Sequence, residues 1–75
     1  MVDVQLHLGD VEEITWREWI SKDVMMPDWG TVELRVKGAR ICLYTQTPMM
    51  AKRIARVISQ STQVEAQEVV PDVAA

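Results

Sequence analysis

Six basic residues and no acid lie between positions 34 and 62 of this 75-residue chain: Arg35, Lys37, Arg40, Lys52, Arg53 and Arg56. Cationic side chains gathered on one surface bind phosphates, and each phosphate neutralised releases counterions. Arg35 and Arg40 are expected nearly opposite each other across a hairpin, with Lys37 beside its turn and Tyr44 two pleats along the same face. An aromatic ring among arginines can stack a base, as recognition of single-stranded nucleic acid requires. On a helix, Lys52 and Arg56 (four apart) and Arg53 and Arg56 (three apart) form one ridge. These seven residues are the nucleic-acid-binding candidates. Against them stands a pI of about 4.9, well below the usual basic signature of such proteins.

A second set of residues is apolar. Met25, Met26 and Trp29 fall in a stretch that contains Pro27 and Gly30, where a loop is expected, and Met49 opens the predicted helix beside Met50. Exposed Met and Trp bury large, adaptable area and are typical interface anchors. Met25, Met26, Trp29 and Met49 are therefore the protein-binding candidates. The alternative for Trp29 is that it closes the end of the core.

Catalysis is not expected. His7 is the only histidine and Cys42 the only cysteine. The two could pair as base and nucleophile on neighbouring strands, but no third residue is placed to orient the imidazole. One Cys and one His cannot build a structural zinc site, no alternating acidic loop resembles an EF-hand, and Gly9, Gly30 and Gly38 are too scattered to cradle a phosphate. No catalytic residue, metal or cofactor is predicted.

The net charge of −3 conceals a strong asymmetry. Residues 1–33 hold eight acids and two bases, residues 34–62 hold only bases, and the remainder adds Glu65, Glu68 and Asp72. The simplest reading is that the two halves pack together and neutralise each other. The chain begins Met1-Val2-Asp3-Val4, with an acid where a secretory signal carries positive charge, and it has a single cysteine. It is thus expected to be a complete small cytoplasmic product, and no apolar run approaches a membrane span.

These residues must be positioned by few elements. Val2, Val4, Leu6 and Leu8 alternate with polar residues and predict a strand that Gly9-Asp10 ends. Residues 11–22 are read as a helix, capped by Asp10 with Glu13 and striped by Trp16, Trp19 and Ile20. Strand-prone Ile14-Thr15-Trp16 leaves an extended alternative open. After the turn at Pro27–Gly30, Val32, Leu34 and Val36 face Ile41 and Leu43 across a hairpin whose loop is Lys37-Gly38 or Gly38-Ala39. Thr47-Pro48 then starts a helix whose apolar stripe is Met50, Ile54, Val57 and Ile58.

The predicted fold is α+β: an antiparallel sheet of three or four strands, with a C-terminal amphipathic helix packed on one face, in β-α-β-β-α order. Residues 1–60 are expected to form the single domain and 61–75 a flexible tail, although Val64 to Val70 could add an edge strand. The expected function is a non-enzymatic protein-interaction module that binds another protein and self-associates, like accessory or inhibitory proteins of phage or plasmid type. The alternative is a nucleic-acid-binding regulator using residues 34–62.

Overall fold

The computed structural model describes residues 8–70. A 3₁₀ turn (Leu8–Asp10) leads into β1 (Val11–Trp19), followed by β2 (Trp29–Val36), β3 (Ala39–Thr45), α1 (Pro48–Thr62) and β4 (Ala66–Glu68). The strands form one sheet in the order β3-β2-β1-β4. β1, β2 and β3 are an antiparallel meander, and β4 returns beside β1 in parallel. The α+β class and the helix packed on one face match the sequence reading. The expected strand over residues 2–8 lies almost wholly outside the described residues.

Residues 11–19 form a strand, not the expected helix. Among the described residues the order is therefore β-β-β-α-β. The period decides it: Ile14 is fully buried and Trp16 packs beside it, while Thr15, Arg17 and Trp19 alternate onto the other face. A helix cap contributes about 1 kcal/mol. Fully burying one large aliphatic side chain contributes about 1.5–3 kcal/mol, and pairing with β2 achieves that for Ile14. Asp10 caps nothing here; its carboxylate pairs with Lys37 at 3.8 Å.

The hairpin register is resolved. Val36 stands opposite Ala39, leaving Lys37-Gly38 as the loop. Their φ values are 23° and 77°, both positive, as a type I′ turn requires.

Thr47 caps α1 as predicted: the Met50 N–H donates to its Oγ1 at 3.2 Å, with Pro48 at the start. The buried stripe, however, is rotated from the expected one. Ala51 and Ala55 are buried and Ile54 and Ile58 pack beside them, whereas Met50 and Val57 are 46% and 61% exposed. The cause is Gly30. A Cβ there would lie 2.6 Å from Ala51 Cβ and 2.7 Å from Thr45 Oγ1, so the helix approaches β2 through its smallest residues. On β3, Leu43 is left 37% exposed where a core position was expected.

The packed unit also extends beyond residue 60. Gln63 ends α1 in the left-handed region, its N–H donating to the Ser59 carbonyl at 2.8 Å. Val64 and Ala66 join the core, and Ile14, Thr15 and Trp16 pair with Ala66, Gln67 and Glu68. The expected flexible tail is thus an edge strand over this stretch, and residues 71–75 lie outside the described residues.

Candidate functional site

Among the described residues no element covers the face of the sheet away from α1, and the two ends of that face differ. At the hairpin end, a bulge between Val11 and Glu13 inserts Glu12 as an extra residue. Two consecutive acids then reach one base: Arg35 lies 3.5 Å from Glu12 and 3.4 Å from Glu13. Arg40 pairs with Glu33 at 3.7 Å. Together with the Lys37–Asp10 pair, every ion pair among the described residues joins an acid of residues 1–33 to a base of residues 34–62. These are solvent-exposed contacts worth at most about 1 kcal/mol each. Their main effect is to offset the positive charge of the hairpin.

The other end is aromatic. Trp19 and Trp29 are cross-strand partners, their rings stacked at 5.1 Å and 7°. Tyr44 stacks on Trp29 at 5.8 Å and 26°. Because β2 lies between β1 and β3, Trp29 has a ring on either side. The Arg17 guanidinium lies 3.4 Å from the Trp19 ring centroid, a cation–π contact, and its buried Nε has no hydrogen-bond partner among the described residues. The Trp19 indole N–H donates to Thr31 Oγ1 at 2.9 Å and fixes the ring. An open depression of about 350 Å³ runs along this row, lined by Arg17, Trp19, Trp29, Thr31, Cys42 and Tyr44, among others.

The loop between β1 and β2 projects from this same end. Asp28 accepts from the Ser21 N–H and Asp23 from the Met25 N–H, both at 2.9 Å. These bonds shape a turn that leaves its apolar side chains outside: Ile20, Val24, Met25 and Met26 are 61–100% exposed. The start of α1 is at this end too, since Thr45 pairs with Gly30 and Met49 lines a hollow with Glu18 and Pro48.

The protein-binding candidates Met25, Met26, Trp29 and Met49 thus gather at one end of the sheet, although Trp29 faces the open side and Met49 the helix side. The nucleic-acid candidates are divided. Arg35, Arg40 and Tyr44 lie on the open face, Lys37 is in the turn, and Lys52, Arg53 and Arg56 are across the sheet on the helix. Sequence reasoning missed Arg17, Trp19 and Thr31. The alternation Glu13, Thr15, Arg17, Trp19 was the available signal. Cys42 is free and exposed on this face, and His7 lies outside the described residues. Among the described residues, no three His, Cys, Asp or Glu side chains are grouped to hold a metal, and no helix is long and apolar enough to cross a membrane. Compared with known families, curated proteins and solved structures, the chain matches none of them, and the site rests on its geometry.

Proposed function

We propose that this protein is a non-enzymatic interaction module that binds another protein through the aromatic end of its sheet. The observation that carries the reading is the exposed apolar loop of Val24, Met25 and Met26 set beside the Trp19–Trp29–Tyr44 row. Methionines adapt to a partner's shape while the stacked rings stay fixed, which combines an adaptable contact with a rigid anchor. A reducing, cytoplasmic setting suits a chain whose lone cysteine is free.

The test compares the wild type with the double variant Met25→Asp/Met26→Asp, whose positions carry no core contact. A protein retained from nuclease-treated lysate by the wild type should, once purified, bind the variant at least ten-fold more weakly. Equal binding by both would overturn the reading. Nucleic acid is the alternative, resting on Lys52, Arg53 and Arg56, which have no ion-pair partner among the described residues. Sub-micromolar, salt-sensitive binding of single-stranded DNA or RNA by the wild type would favour it.

A further inference from the structure

We propose that two copies of the chain dimerise by pairing β3 with β3 of the second copy, antiparallel, about a two-fold axis at Cys42. β3 is an edge strand of seven residues, Ala39–Thr45, with no proline to blunt it. The two-residue Lys37-Gly38 loop makes Val36 and Ala39 a hydrogen-bonded pair, and antiparallel ladders alternate from there. Arg40, Cys42 and Tyr44 therefore direct their N–H and C=O groups outward, away from β2. Among the described residues no strand pairs with this side.

The helix leaves the same edge uncovered. One flank of α1 faces β1 and β4, where Lys52 and Ser59 share a hollow with Trp16 and Ala66. The opposite flank, Met50, Ile54 and Val57, therefore lies on the β3 side. Together with Leu43 it forms a partly exposed apolar strip over the strand edge. A two-fold axis lays this strip against its own copy while the backbones pair beneath it.

The side chains of β3 suit this pairing. Centred on Cys42, Ile41 stands opposite the second copy's Leu43 on the helix side, apolar against apolar. On the open side, Arg40 stands opposite the second copy's Tyr44. Tyr44 is stacked on one face by Trp29 and is 75% exposed. A guanidinium arriving from the second copy covers its free face, as Arg17 covers Trp19 at the other end of the row. Centring instead on Ile41 sets Arg40 against Cys42 and leaves Tyr44 opposite Gly38. Centring on Leu43 sets Ile41 against Thr45.

Sedimentation equilibrium at tens of micromolar should give twice the chain mass of 8.6 kDa. Cys42→Pro removes one outward amide and no bond to β2, and should weaken the dimer at least ten-fold while circular dichroism stays native. Should that variant unfold, Leu43→Lys provides the same readout. A monomer at 100 μM, or a dimer unaffected by the folded variants, overturns the proposal. Diamide, which accepts two protons and two electrons as two thiols become a disulfide, tests the register. Opposed Cys42 residues have Cα atoms about 5.5 Å apart and should cross-link, whereas a shift of one pleat separates them beyond bridging distance. A wild-type dimer that diamide does not cross-link overturns this register. Amides of Arg40, Cys42 and Tyr44 should be protected from exchange only where the dimer is populated. Protection at every dilution would mean that the chain covers its own edge, and would overturn the dimer.

Discussion

On the face of the sheet that α1 covers, the tightest contacts are made by the smallest residues, whereas on the open face the row from Arg17 to Tyr44 is made of the largest. Gly30, Ala51 and Ala55 bring the helix down onto β2, and among the described residues only Ile14 and Val32 are both large and fully buried there. Trp19, Trp29 and Tyr44 are larger side chains than any of these, yet they stack on one another on the open face. The comparison separates two roles: the covered face holds the fold together, and the open face carries the aromatic row on which the proposed binding rests.

The largest effect is expected at the covered face. Ile14→Ala should lower the unfolding free energy in urea by about 2–5 kcal/mol. That is a large fraction of the stability of so short a chain, and a loss below about 1 kcal/mol would break the distinction between the faces. Gly30→Ala should cost about 1–3 kcal/mol, because the added methyl meets the Ala51 Cβ and the backbone at Pro48. Adding Ala51→Gly sharpens the point: the two changes together should cost less than the sum of each alone, giving a coupling energy in a double-mutant cycle. The smallest effect belongs to the charged end of the open face. Arg35→Ala should cost less than about 1 kcal/mol, shrinking further in high salt. A salt-independent loss of about 3 kcal/mol there would make the open face as structural as the covered one.

Much of this frame is legible in the residues themselves. The hairpin of Val32 to Leu43 and the Thr47-Pro48 helix start follow from side-chain alternation and capping chemistry, both local. The misreadings have non-local causes. Asp10 and Glu13 carry a convincing capping pattern, but pairing with β2 competes for the same residues and wins. The apolar period of α1 points to its bulkiest residues, but the packed face is set by the absence of a side chain at Gly30, twenty-one positions before Ala51. Ala66–Glu68 has no strong pattern because its pairing with β1 spans only three residues. The same error that hid β1 hid Arg17 and Trp19, and with them the row that gives the open face its character.

The position of β4 sets the order in which the fold can be completed. β1, β2 and β3 follow one another in the chain and can pair before α1 is made, because their contacts are more local than those of β4. The edge of β1 at Ile14, Thr15 and Trp16 waits for Ala66–Glu68, which is synthesised only after α1. Until then no other described element pairs with either edge of the meander, β3 on one side and β1 on the other, and each can template a wrong partner. Closure of the β1 edge is thus a late, long-range event, and truncated or stalled chains lack it altogether.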